Sequence, residues 1–406
     1  MSLLELFKRI SWKATAPSIF LVLNSFAWLT IVNLLFNIIL NQSPFPETEK
    51  LCLSTMYFVG MAVSIVLGSK FFPDSRLKSL FLWFLTGTIV TFFLPFISIN
   101  TPSNALLVLF LSFSLGMGLP SCLSYFADSI NIESRGLVGG VIWSGIGFIV
   151  LLFVFLICAY GTWITIIMLA IWRIFGCLTF MCLTKHHKKF YTQKSLSYLE
   201  LIRNRHILLY LLPWTLFSII NFAEVPILEK VFGVESFTFA QFAEYIFAGI
   251  SGFIGGIMAD ILGRKRLIIS GFIMLGIDYA FMSFFAGSHG ALLLFMILDG
   301  ITWGLFFTVF LTVIWGDLGE GYAKEKFYVL GGLPFLLSNL ATVLVKPYIS
   351  VIPPIAAFSF ASFFLFLAVI PLMYAHETLP DKAFKEREIR SYIEKAKRIR
   401  EKFSKG

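Results

Sequence analysis

The sequence predicts an all-α polytopic membrane protein of twelve transmembrane helices in two pseudo-symmetric six-helix bundles, and three observations point there. The 406 residues are 58% hydrophobic and 14% charged, with a mean hydropathy of +0.86, a composition that makes lipid the solvent of the fold. The apolar runs are long and do not alternate, which suits helices and excludes barrel strands, the other backbone that satisfies itself in lipid. Landmarks of the first half also recur about 188 positions on, in the second.

Windows of about 20 apolar residues mark the spans in turn. Span 17–40 follows a segment with three basic residues in 1–16, and 51–69 is joined to 79–99 through Lys70, Arg76 and Lys78. Span 105–127 is joined to 137–158 by a loop with Arg135, and 162–184 runs into a stretch, 185–206, with six basic residues. The second half repeats the plan. Span 207–228 comes first, then 239–259 joined to 267–285 by Arg264, Lys265 and Arg266. Span 291–315 is joined to 327–350 through Lys324 and Lys326, and 354–374 precedes a tail with ten basic residues. The domain organisation expected is an N-terminal half 1–184, a cytoplasmic linker 185–206, a C-terminal half 207–378 and a basic cytoplasmic tail 379–406.

With the N-terminus inside, 28 of the 32 Lys and Arg fall on the cytoplasmic side, leaving Lys50, Lys230 and Lys346 at or near the outside and Arg173 within a span. This bias predicts both termini in the cytoplasm. The net charge of +9 is then topological, and without a folded basic module it gives no evidence of nucleic-acid binding. No cleavable signal is expected, because the first apolar run is too long for an h-region and its flank lacks a small-residue cleavage site. The five cysteines, Cys52, Cys122, Cys158, Cys177 and Cys182, are scattered through apolar spans without ligand spacing, so neither disulfide, metal nor cofactor is implied.

Residues 255–266, GGIMADILGRKR, set a dense polar cluster between two apolar runs. Gly256, Asp260, Gly263, Arg264, Lys265 and Arg266 fill every fixed position of G-x-x-x-D-x-x-G-R-[KR]-[KR], the signature of the major facilitator superfamily, and the chain resembles a secondary transporter of that family. A degenerate copy, GSKFFPDSRLK, begins at Gly68 after the second span, 188 positions before Gly256. There Phe72 stands where the Asp is expected and Ser75 where the second Gly is, with Arg76 retained. Asp128, Arg135 and Gly139-Gly140 find counterparts in Asp317, Lys324 and Gly331-Gly332, offset by 189 for the Asp and 192 for the first Gly. Two duplicated bundles explain the agreement. Asp128, Glu133, Arg135 and Gly136 also resemble the family's loop after the fourth helix, and ETLP at 377–380 its ending of the twelfth. By pseudo-symmetry Asp260 should face the start of the fifth helix near Gly136, where a negative charge is favoured by about 0.3–1 kcal/mol, as half of a cytoplasmic latch that the first half lacks because of Phe72. The alternative role is capping its own turn.

An ionisable side chain at a membrane helix centre costs about 2.5–3.5 kcal/mol on insertion scales, so each one demands a reason. Arg173, Glu224, Glu244, Asp278 and Asp299 are the cases. In the resembling family the first, fourth, seventh and tenth helices line the cavity and the second, fifth, eighth and eleventh join the halves. That resemblance makes Glu224 and Asp299 cavity candidates, Glu244 a gate candidate, and Arg173 and Asp278 supporting charges. Asp299 and Trp303 share a helix face, Thr30, Asn33 and Asn37 form a stripe, as do Ser114, Ser121 and Ser124, and Asn221 lies one turn from Glu224. The amides and hydroxyls have two readings, packing hydrogen bonds and substrate contact.

A carboxylate that alternates between dry and wet surroundings binds and releases a proton, the role expected of Glu224 or Asp299. The five histidines lie in loops, and there is no G-x-x-x-x-G-K-[ST], so neither histidine relay nor ATP is indicated. The function expected is proton-coupled symport of a small organic solute by alternating access, by a monomer in the plasma membrane. The fifth helix carries five glycines but no Gly-Pro element, which points away from the alternative, a drug/proton exporter. A non-transporting sensor of the same fold is the other alternative, and a membrane enzyme is disfavoured by the lack of any H-E-x-x-H, paired-Cys or nucleophile motif. The segment 381–406 is basic with apolar residues at helical spacing, and reads either as a helix along the inner leaflet or as a solvated tail.

Overall fold

The architecture was analysed in a computed structural model that describes residues 7–8, 10–98, 103–182, 194–348 and 351–380. Its spans are α1 (Trp12–Gln42), α2 (Glu47–Phe71), α3 (Arg76–Ser98), α4 (Asn104–Ser129), α5 (135–160), α6 (162–182), α7 (Arg205–Phe232), α8 (Val234–Leu262), α9 (Arg264–Phe285), α10 (His289–Leu318), α11 (Glu325–Tyr348) and α12 (Pro354–Tyr374). The helices α5 and α6 form one apolar run from Ile132 to Cys182, turned at Gly161, whose φ of 78° lies in the left-handed region open to glycine. Counting α5–α6 as one run, the eleven apolar helices among the described residues are each long and apolar enough to cross a membrane. Most outrun their apolar windows, since a helix need not stop where its hydrophobic stretch does. The helix α8 begins at Val234, five residues before the expected 239, which carries Glu244 deeper into the helix than the span read from sequence. The short helix Tyr198–Arg203, closed by a Ser197/Glu200 capping box, precedes α7. The first part of the 185–206 linker, up to residue 193, and the 381–406 tail lie outside the described residues.

Helix pairing repeats between the halves. The helix α2 packs on α4 as α8 packs on α10, α3 on the α5–α6 segment as α9 on α12, and α1 on that segment as α7 on α11 and α12. Across the halves, α5 runs along α8 and α2 along α11. The α5–α8 seam exists because both faces are glycine: a Cβ at Gly140 would meet the Gly252 carbonyl at 2.6 Å and the Phe253 Cα at 3.1 Å, and one at Gly256 would run into the Gly136 carbonyl. Large apolar side chains such as Leu82, Met181, Phe284 and Phe363 face outwards from α3, α6, α9 and α12, an exterior suited to lipid. Because each follows an even-numbered helix, the basic loops Lys70–Lys78, Arg135, Arg264–Arg266 and Lys324–Lys326 lie at one end of the bundle, called here the basic end.

This seam generates a paired test. Gly140→Ala should lower stability by about 1–3 kcal/mol through overpacking. Gly249→Ala, whose Cβ would meet nothing nearer than the Ser144 carbonyl at 3.7 Å, should be neutral or slightly stabilising, as read by thermal unfolding of the purified protein.

Candidate functional site

Two constructions occupy opposite ends of the inter-half seam. The first is a charge network at the basic end. The left-handed backbone of Gly263, φ 99°, turns α8 straight into α9, so Asp260 and Arg264 fall on one face and the ion pair closes at 3.4 Å. The Asp260 carboxylate accepts the backbone N–H of Gly136 at 3.0 Å and of Leu137 at 2.7 Å, the orphan donors at the start of α5. Gly136 is required there, because a Cβ would meet that carboxylate. Arg264 donates to the Ile132 carbonyl and lies 3.2 Å from Asp317.

Asp317, at the end of α10, also accepts from Arg135 at 2.8 Å and from Thr378 at 3.1 Å. Its counterpart Asp128, at the end of α4, accepts from Arg76 at 2.9 Å and Lys324 at 2.6 Å. Each aspartate is thus held by the arginine that starts α3 or α9 of its own half and by the cation at the start of α5 or α11 of the other. The carboxyl of Glu320 is raised by burial, but Arg135 and Lys324 outweigh this and hold it below the ordinary carboxylate value. The symmetry breaks at one point. Phe72 offers no partner for the start of α11, and Glu325, in the position where the other half has Gly136, supplies a carboxylate that Arg76 engages. The first half therefore has an acid–arginine contact at the seam after all, with the acid on α11 instead of α2. Glu377 completes the assembly by accepting the N–H groups of Arg264 at 2.9 Å and Lys265 at 3.1 Å, capping α9.

The second construction is a cavity of about 370 Å³ between the halves, lined from mid-bundle towards the end opposite the basic network by α1, α5, α7, α8, α10 and α11. Its floor is aromatic. Trp143 stacks on Phe307 at 4.4 Å, Phe307 lies 4.7 Å from Trp303, and Phe335 closes on Phe307 at 5.7 Å. Below the floor, α10 continues as a π-helical stretch, Phe307–Ile314, a form that collects at functional sites. Trp143 donates to Thr312 there at 2.6 Å, tying α5 to α10.

Of the residues singled out from sequence, Asn33, Asn37, Asn221, Asp299, Trp303 and Glu244 line the cavity. Asn221 donates to Asp299 at 3.0 Å. Asn33 accepts from the Tyr57 hydroxyl at 2.5 Å. Glu224 is buried but outside the lining, on the α9 side of α7, where Tyr279 lies within electrostatic reach of Glu224, Asp278, Asp299 and Glu244. Ser114 and Ser121 are also outside it. The helix α4 is interrupted at Gly118, whose missing side chain makes room for the Trp83 ring, and it lines a small apolar void of about 20 Å³ through Leu119, Pro120 and Leu123. Arg173 meets rings in place of an acid: its guanidinium lies 3.6 Å from the Phe84 centroid and 4.1 Å from that of Trp28, and donates to Asn24 and Ser25. Among the described residues no group of three or more His, Cys, Asp or Glu is arranged to hold a metal ion. Sequence reasoning missed Glu325 and Tyr279, and marked Glu377 only as part of the ETLP ending; the offset of 189 that relates Gly136 to position 325 was the available signal for the first.

No family model matches the sequence, and no curated protein matches it. Among solved structures, the chain is similar to the human organic anion transporter MFSD10 (TETRAN) at 13% identity and a TM-score of 0.58, covering 88% of this chain and 98% of that one. The chain has the major facilitator fold.

Two substitutions probe the network separately. Asp260→Asn removes the charge that the α5 N–H groups and Arg264 share, and Glu325→Gln removes the one that Arg76 shares. Hydrogen bonds to charged groups contribute about 1.5–3 kcal/mol, so each should shift the population towards opening at the basic end. The readout is increased modification of cysteines placed in that seam, and unchanged accessibility in both variants would contradict the assignment.

Proposed function

We propose that this protein is a secondary transporter that carries a small organic solute across the membrane by alternating access, coupled to protons through Asp299. The observation that carries this reading is the pairing of a ligand-sized cavity with a sealed basic end: six helices from both halves line the space, and inter-half ion pairs close the bundle beneath it. Two halves that meet on a glycine seam can rock, and closing the cavity mouth would offset the loss of the charge contacts. By the distribution of Lys and Arg the basic end is cytoplasmic, so the arrangement corresponds to an outward-facing state, with both termini inside and the plasma membrane as the site of action.

Asp299 is the better placed of the two carboxylates expected to couple. It lines the cavity and is steadied by Asn221 and Trp303, whereas Glu224 sits behind the wall. What is carried over from the similar structure is transport of a small organic solute. An amide at position 299 keeps size and hydrogen bonding and cannot titrate. For a solute selected by thermal shift on the purified protein, Asp299→Asn in proteoliposomes should abolish accumulation driven by a pH gradient while solute exchange persists. Accumulation at the wild-type rate would refute coupling at this residue, and a complete lack of flux in the wild type would refute transport in favour of a sensor.

A further inference from the structure

The cavity is acidic, amide-lined and aromatic, and among the described residues no Lys, Arg or His lines it. Two of its carboxylates stand close together for a definable reason. Gly300 lets α10 approach α8 so tightly that a Cβ there would meet the Glu244 carbonyl at 3.0 Å and its Cα at 3.1 Å. Asp299, the next residue, lines the same cavity as Glu244 and lies within its electrostatic reach across the α8–α10 seam. Glu244 keeps one carboxylate oxygen, Oε1, buried without a hydrogen-bond partner. A buried, unsatisfied carboxylate oxygen is costly unless a proton or a cationic donor reaches it. Around the pair stand Trp143, Phe222, Trp303, Phe307 and Phe335, whose ring faces attract a cation and bury an apolar body.

We infer that the solute is a lipophilic organic cation, a protonated amine with an apolar or aromatic body, held by Asp299 and Glu244 in the aromatic cavity. This rests on the transport reading given above and names its substrate class. An organic anion would bring a negative charge against two carboxylates with no lining cation to offset it.

The groups that act on these carboxylates are Asn221 from α7, Tyr245 on α8, Asp278 and Tyr279 from α9 and Trp303 on α10 itself, none of them cationic. Ammonium and proton therefore compete for the same oxygens. When the ammonium pairs with the carboxylate, the carboxyl proton leaves to water, and the reverse step reloads the proton and frees the amine. The stoichiometry is an exchange of one cation for one proton, so the coupling is antiport and not the symport expected from sequence.

The test uses the purified full-length chain and three probes of one skeleton: 4-phenylbutylammonium, 4-phenylbutanol and 4-phenylbutyrate. Titration calorimetry at neutral pH in weak buffer should give the ammonium at least about tenfold tighter binding than the other two, the scale of one charge-assisted hydrogen bond. Its binding should release protons and should weaken as pH falls. Asp299→Asn and Glu244→Gln should each remove most of the preference for the ammonium while leaving the alcohol unchanged. The wild-type ranking needs no variant to fold. Equal or tighter binding of the butyrate, no detectable ammonium binding, or proton uptake on binding would overturn the proposal. Ammonium preference without any liposome uptake would refute transport and leave the cation site standing, and accumulation of the butyrate would refute the cation site and leave transport standing.

Discussion

A charge buried away from water is costly unless paired, and in this protein several of the pairs that meet that constraint at the basic end cross from one half to the other. Asp317 holds Arg135, Asp128 holds Lys324, and Asp260 holds the first N–H groups of α5. Removing one partner of such a pair is worth about 3–5 kcal/mol, because the other charge is left stranded. The same groups lose little if the whole end opens to water, since each is then hydrated. The network is therefore cooperative: strong against single losses, and weak against a concerted separation of the halves. That asymmetry is what a two-state carrier requires at a gate.

The rest of the molecule follows from where the constraint is met. Away from the basic end, the middle of the bundle holds rings, amides and the buried carboxylates of the second half. The aromatic floor of Trp143, Phe307, Trp303 and Phe335 separates the network from the cavity. The π-helical stretch of α10 spans that floor and ends three residues before Asp317, so Asp317 of the network and the cavity wall carrying Asp299 lie on one continuous helix. The intramembrane acids of α7, α8, α9 and α10 all belong to the second half, whereas the intramembrane charge of the first half, Arg173, is met by the rings of Trp28, Trp83 and Phe84. The two halves share a scaffold and differ in chemistry.

The fold was legible in the sequence to a large extent, because span length, basic-loop placement and a repeat near 188 positions all report the same architecture. The position of Asp260 against Gly136 was legible too, since pseudo-symmetry and the glycine spacing place both at the seam. What the sequence hid was side-chain direction. Glu224 shares a helix with Asn221, yet three residues of helix rotation take one to the cavity and the other to Tyr279. Ser114 and Ser121 have cavity-helix spacing, but the interruption at Gly118 seats α4 against α1 and α2. Phe72 suggested a missing latch, and the compensating Glu325 could be found only by asking what the other half places at the same position. Burial of Arg173 was readable from its span, but its ring partners come from α1 and α3 and have no local signature.

The central claim is that the two ends open and close in opposition. It is tested most directly by electron–electron distance measurements on two spin-labelled pairs, in a background with the five native cysteines replaced. One pair, at the exposed positions Phe71 and Leu262, reports the basic end; the other, at Gln42 and Val234, reports the cavity end. In lipid nanodiscs across a range of pH, the account predicts that the fraction of molecules with a lengthened basic-end distance equals the fraction with a shortened cavity-end distance. Distances that change independently, or that lengthen together, would contradict it.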